Sequence, residues 1–242
     1  MAVKRTSSAE RLHGREKLLA QLQGAAMTGK TVLVFGPIGI GKTAILRELQ
    51  RRVAAAGRPC GYASRVTALG DVTRALGDAY PEVSAHERTQ RSYRASLRMA
   101  VEVRPGVLLL DHLARAGTGL RGFLRSLQGT GLGVLLAGDV EYPRDRARLR
   151  ELRLAYREEE VPPLTPRQLR RVLEDGLRAR TLPWPLGERD RAVLLDAAQG
   201  RPGRVVAFAE RLADAQYWED GHLRVARLTG DVWNVETARY LA

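Results

Sequence analysis

Cysteine occurs once in the 242 residues, at Cys60. One thiol excludes an internal disulfide, which fits a reducing compartment and predicts a cytoplasmic location. Aromatic residues are scarce, at 5%, while hydrophobic residues reach 44%, so the core has to be built from aliphatic side chains. No apolar run approaches the roughly 18 residues that a membrane-spanning helix needs, so no membrane partner is expected. The first ten residues are polar and lack the apolar centre of a signal peptide. Lysine is nearly absent: Lys4, Lys17, Lys30 and Lys42 are four of 40 basic residues, which face only 27 acidic ones. A GC-rich genome explains arginine in place of lysine, but it does not explain a net charge of +13. That surplus calls for an anionic partner, and nucleic acid is the commonest.

What is present is a regular alternation of patterns. Residues 1–12 form a basic tail. A helix is expected over 13–28, with Leu18, Leu19 and Leu22 on one face. The run TVLVF at 31–35 predicts a buried strand. A helix over 43–56 carries Ile45, Leu46, Leu49 and Val53 and is ended by Gly57 and Pro59. A second strand is expected over 60–66, then helices over 67–79 and 85–102. The runs GVLLL at 106–110 and GVLLA at 133–137 predict two more buried strands, with a helix over 119–128 between them. Strands alternating with helices predict an α/β fold, a parallel sheet with helices on both faces. After Val161-Pro162-Pro163-Leu164 only helical patterns follow, over 166–180, 188–198 and 203–217. The expected organisation is an α/β domain at 13–163 and a small helical domain at 164–242, with no assignment for the last 20 residues.

Between the first strand and its helix stands Gly36-Pro37-Ile38-Gly39-Ile40-Gly41-Lys42-Thr43, followed by Ala44. This is G-x-x-x-x-G-K-T in its required strand–loop–helix setting, and it predicts a phosphate-binding loop for a nucleoside triphosphate, ATP above all. The glycines let backbone N–H groups turn inward around phosphate oxygens, and the helix N-terminus adds partial positive charge. Lys42 supplies a point charge for the β- and γ-phosphates, and Thr43 a hydroxyl for Mg²⁺. The strand ending in Asp111 puts a carboxylate at the carboxyl end of the sheet, where it can hold the metal's water shell.

These motifs, with Gly14-Arg15-Glu16 some 20 residues before the loop, resemble those of AAA+ ATPases. The similarity is to the origin-recognition, STAND and transposition-regulator group, and it spans about 11–215. It implies that Gly14 and Arg15 lie near the adenine, against the competing reading of surface charges at a helix start. Gly200-Arg201-Pro202-Gly203-Arg204 resembles the sensor 2 region of the helical lid, which implies that Arg204, or else Arg201, reaches the γ-phosphate. The competing reading there is two solvated arginines. In this family an arginine finger comes from a neighbouring subunit, and Arg153, with Arg150 second, stands at the matching position.

The sequence departs from the family at two places. The residue after Asp111 is ordinarily Glu but here is His112, either a base in its own right or a non-catalytic substitution. The sensor 1 position carries Asp139 where Asn, Thr or Ser is usual. Intact binding motifs beside an altered hydrolytic centre imply slow hydrolysis, with ATP as an assembly switch for a homo-oligomer. The charge and the family resemblance together imply a DNA-associated ATPase. With no recognisable base-reading motif, contact with duplex DNA is expected through the backbone. Arg88, Arg91, Arg94 and Arg98, spaced three, three and four apart, form a basic helical stripe for it. The alternatives are a STAND-like switch that binds a protein partner and, third, a P-loop kinase for a small metabolite.

Overall fold

The computed structural model describes residues 12–83, 89–113, 117–138, 147 and 149–241. Thr31–Phe35 forms β1, Cys60–Ala63 β2, Val107–Leu110 β3, Gly133–Gly138 β4 and Arg157–Glu160 β5. The sheet runs β2-β3-β4-β1-β5, and every pairing in it is parallel. The α/β class with a parallel sheet is thus as expected. β3 is buried at every position, and β4 at all but its last. That is why these strands are continuous apolar runs and not alternating ones.

The helices of this unit are α1 (Glu16–Met27), α2 (Lys42–Ala55), α3 (Leu69–Ala79), α4 (Gln90–Val103) and α5 (Thr118–Leu127). Leu33, Leu108, Leu110, Val134 and Leu136 pack into one cluster with Val72, Leu76, Leu97, Leu120 and Leu124 of α3, α4 and α5. Strand alternation turns Val32, Val34, Leu109 and Leu135 to the other face, and α1 packs there against β1, β4 and α2.

Three elements depart from expectation. The second strand stops at Ala63; Val66 makes only an isolated bridge to Leu113, because the chain is already turning to the Asp71 carboxylate, which accepts from the Thr67 and Ala68 N–H groups. β5 was not assigned from its own residues. Its sequence, REEE, has no apolar face; main-chain pairing with β1 holds it as a charged edge strand. The third departure is the helix expected over 203–217, which ends at Arg211. Asp214 accepts the Gln216 N–H at 3.0 Å, a local turn that competes with helix continuation.

Among the described residues, contacts divide the chain into two units. One runs to Pro37 and resumes over Lys42–Val161; the other comprises Ile38–Gly41 and everything from Pro162 on. The second unit contains α6 (Pro166–Arg178), α7 (Glu188–Ala197), α8 (Pro202–Arg211), a short 3₁₀ turn, a hairpin of β6 (Trp218–Glu219) and β7 (His222–Leu223), and α9 (Val225–Leu241). Thr165 and Gln168 cap α6 reciprocally, and Pro166 follows the cap. Leu169, Leu173, Leu194, Val205, Phe208, Leu228 and Val232 form its core.

Burial makes this fold alkali-sensitive in a defined window. Desolvation pushes the Cys60 thiol up from 9.0 to about 12. Desolvation likewise raises the Tyr80 phenol from 10.0 to about 12, while its hydroxyl donates to the Arg104 carbonyl at 2.9 Å. Both groups fold in their neutral forms, so their contribution is complete below pH 9 and is lost as pH rises toward 12. The unfolding midpoint in urea should therefore fall through that window. Cys60 should also resist alkylation at pH 8 until the chain unfolds, because only the thiolate reacts.

Candidate functional site

In-register parallel pairing sets the carboxyl ends of three strands side by side: Phe35 is opposite Gly138, and Leu136 is opposite Leu110. The loop after Phe35 and Asp111 after Leu110 therefore leave the sheet at one end, beside the last residue of β4, where open parallel sheets bind ligands. Gly39 and Gly41 have φ of +76° and +102°, values that a side chain would strain. Lys42 is the first residue of α2 and is buried; its Nζ donates to the carbonyls of Gly36 at 2.6 Å and Pro37 at 3.0 Å. Thr43 and Ala44 complete the first turn. No acidic residue stands in that turn of the 14-residue helix, so its positive end is not neutralised locally.

Within the second unit, the Gly39 carbonyl accepts the Gly203 N–H at 2.8 Å. Any Cβ at residue 203 would lie 2.8 Å from the Gly39 Cα, which explains the small residue after Pro202.

Asp111 is buried to 1% exposure. Its Oδ2 accepts the Tyr62 hydroxyl at 3.1 Å and its Oδ1 the His112 N–H at 3.1 Å. Among the described residues, no lysine or arginine forms an ion pair with it. A buried carboxylate so placed is costly unless a cation compensates it, and this chemistry fits a hydrated divalent ion. No cluster of three or more His, Cys, Asp or Glu suited to a metal is found among the described residues. Mg²⁺ takes one or two carboxylates and completes its shell with phosphate and water.

His112 has φ of +48°, a region that His tolerates better than most side chains. Its carbonyl accepts the Val66 N–H, so its backbone is fixed while its ring is 60% exposed, with Nε2 3.8 Å from Asp111 Oδ1. Arg15 is buried, 3% exposed, so it is not a surface charge, whereas Gly14 and Glu16 on either side are exposed. Desolvation brings its guanidinium down to about 10, and Gly14 turns the chain into α1 with φ of +69°.

Arg204 is no solvated arginine either. Its Nη2 and Nε meet the Glu236 carboxylate of α9 at 2.9–3.2 Å, and its Nη1 meets Gln199 Oε1 at 2.9 Å. Arg201 caps α8 beside it. Arg150 and Arg153 are both exposed, and Arg153 has φ of +49°. Leu154, next to Arg153, sits in a hollow with Gly29, Thr31 and Val134 at the amino-terminal ends of β1 and β4. Arg153 is thus not among the residues that the sheet gathers round its own loop. On α4, Arg91 and Arg98 are exposed and Arg94 is half-buried; Arg98 pairs with Glu102 at 2.9 Å, and Arg94 Nε donates to the Gln90 carbonyl. Asp139 and Arg88 lie outside the described residues. Sequence reasoning missed Tyr62 and Glu236, whose partners are 49 and 32 residues away.

No family model matches the chain, and no curated protein does. Solved structures do match. With the ADP form of the Aeropyrum pernix ORC2 protein the identity is 15% and the TM-score 0.57, over 89% of this chain and 67% of that one. With domain III of the Thermotoga maritima replication initiation protein DnaA the values are 14% and 0.56, over 90% and 92%. With AMPPCP-bound DnaA from Aquifex aeolicus they are 15% and 0.54, over 89% and 65%. At such identities the likeness lies in the fold, and the fold is that of the AAA+ P-loop ATPases, with origin-recognition and replication-initiation proteins among its structural relatives.

Proposed function

We propose that this chain binds ATP with Mg²⁺ at Gly36–Thr43 and uses it as a slowly hydrolysed switch for assembly on DNA. The observation that carries the reading is one end of a parallel sheet where a glycine loop, Lys42 at an acid-free helix start and the buried carboxylate of Asp111 follow the carboxyl ends of the strands. Lys42 would leave the Gly36 and Pro37 carbonyls for the β- and γ-phosphates, and backbone N–H groups of residues 38–44 would cradle the oxygens. Thr43 and Asp111 would hold Mg²⁺, which supplies neutralisation of phosphate charge. The relatives solved with ADP or AMPPCP support a nucleotide as the ligand.

We read 13–163 as the nucleotide-binding domain and 164–242 as its lid. Gly14 and the buried Arg15 stand at the start of α1, where adenine recognition is proposed. Arg204 serves the γ-phosphate only by exchanging the Glu236 carboxylate for it. Arg153, exposed and away from its own loop, suits a finger offered to a neighbouring copy of this chain. His112 is the imidazole beside Asp111, its Nε2 3.8 Å from the buried Oδ1. Single-turnover hydrolysis by the His112→Ala variant should fall about tenfold if the imidazole activates water; an unchanged rate removes it from the mechanism.

The DNA part of the reading rests on the net charge of +13, on Arg91, Arg94 and Arg98, and on the replication-initiation relatives. Affinity for duplex DNA should fall steeply with salt in the presence of ATP. Replacing Arg91 and Arg94 by Ala should weaken it alike on all sequences and lower the log–log salt slope by about two. Absence of binding at low salt leaves the STAND-like reading, a switch on a protein partner.

A further inference from the structure

The Tyr62 hydroxyl, 3.1 Å from Asp111 Oδ2, has been given no role so far. Tyr62 is the third residue of β2 and is paired in register with Leu109, so the main chain fixes where its ring leaves the sheet. Arg47 of α2 lies over that ring, its guanidinium carbon 4.0 Å from the centroid. The phenol O–H is the donor and the carboxylate the acceptor.

The other carboxylate oxygen takes the His112 N–H at 3.1 Å. With one donor on each oxygen the plane of the carboxylate is fixed, and each oxygen keeps a lone pair for a further partner.

We propose that Tyr62 is a positioning residue for the metal: its hydroxyl orients Asp111 so that the remaining lone pairs face a hydrated Mg²⁺. Arg47 completes the arrangement. It rises from the same helix that begins with Lys42 and Thr43, so its stacking on Tyr62 ties the carboxylate's orientation to the phosphate loop. Groups that hold a metal-binding carboxylate in place govern metal affinity without touching the ion. The inference rests on the reading of Asp111 as a Mg²⁺ residue, and the experiment separates the two.

The Tyr62→Phe variant keeps the ring and the cation–π contact and loses only the hydroxyl. Binding of a fluorescent, slowly hydrolysed ATP analogue is measured in EDTA and then as a Mg²⁺ titration, for wild type, Tyr62→Phe, Arg47→Ala and Asp111→Asn. In EDTA, Tyr62→Phe should match wild type within about twofold, since Lys42 and the loop are untouched. Its Mg²⁺ midpoint should rise roughly tenfold, and that of Arg47→Ala about threefold. A Tyr62→Phe midpoint equal to wild type, with that of Asp111→Asn raised, overturns the role of Tyr62 and leaves Asp111 as a metal residue. An Asp111→Asn midpoint equal to wild type overturns the metal reading itself, and the role of Tyr62 with it. A merely structural tyrosine would lower the affinity in EDTA as well and leave the Mg²⁺ midpoint in place.

Discussion

Replacing Lys42 with Ala is expected to weaken ATP binding by about 100- to 1,000-fold while leaving the fold intact. The reason is the strength of the bonds that its ammonium makes to phosphate. Its partners include two neutral carbonyls, at 2.6 and 3.0 Å. The Gly36 carbonyl is buried, and losing such bonds costs about 1–3 kcal/mol of stability. Against phosphate, the same ammonium makes charge-assisted bonds of roughly 1.5–3 kcal/mol each. Two of them amount to about 3–6 kcal/mol, and the carbonyl bonds given up reduce this to roughly the stated loss in affinity. Ala suits the first turn of α2 and offsets part of the lost bonds, so the urea midpoint should fall only modestly. Titration calorimetry beside urea unfolding checks both halves: a variant that binds as wild type does removes the phosphate role, and one that unfolds tests nothing but the fold.

The Glu236→Ala variant should have the opposite signature, a large loss of stability in the helical unit. The Arg204 and Glu236 side chains are 10% and 16% exposed, so the pair is largely removed from water. Glu236 stands one helical turn beyond Val232, which is part of the core, and this is what aims its carboxylate at α8. Deleting the carboxylate leaves a guanidinium with only Gln199 Oε1 and the Ala197 carbonyl as polar partners among the described residues. A broken buried pair of this kind costs about 3 kcal/mol or more. Replacing both partners by apolar residues of similar size, Arg204→Met with Glu236→Leu, should recover most of that loss. Urea unfolding followed by the fluorescence of Trp184 and Trp218, which sit 5.8 Å apart in this unit, reads the effect directly. Equal midpoints for Glu236→Ala and wild type would show the pair to be dispensable.

How much of this was legible in the sequence depends on how local the signal was. The phosphate loop, β1, β3 and β4 could be read because their patterns are written in consecutive residues: apolar runs buried on both faces, and glycines where φ must be positive. The strand REEE could not. An edge strand owes its place to hydrogen bonds with β1 and keeps its charges outward, so its side chains resemble those of a surface loop. The hairpin of β6 and β7 did carry a readable signal. Asp220-Gly221, with φ of +48° and +82°, is a two-residue turn of the kind that favours Asp-Gly.

Arg15 and Arg204 show the limit from the other side. Arginines in polar surroundings look solvated in a sequence, and only the packing of α1 and of α9 shows them buried. Tyr62 and Glu236 were invisible for the same reason. Each acts on a residue dozens of positions away, and no periodicity connects them.

The most direct test of the switch is the mass of the particle. Sedimentation, with electron microscopy of the same samples, should be carried out with Mg²⁺ and a slowly hydrolysed ATP analogue, then with ADP, each with and without duplex DNA. The analogue is predicted to give an assembly of several copies that DNA enlarges or stabilises, ADP to give smaller species, and Lys42→Ala to resemble ADP throughout. A wild-type chain of one unchanging mass, whatever the nucleotide and with DNA present or absent, would contradict the assembly switch.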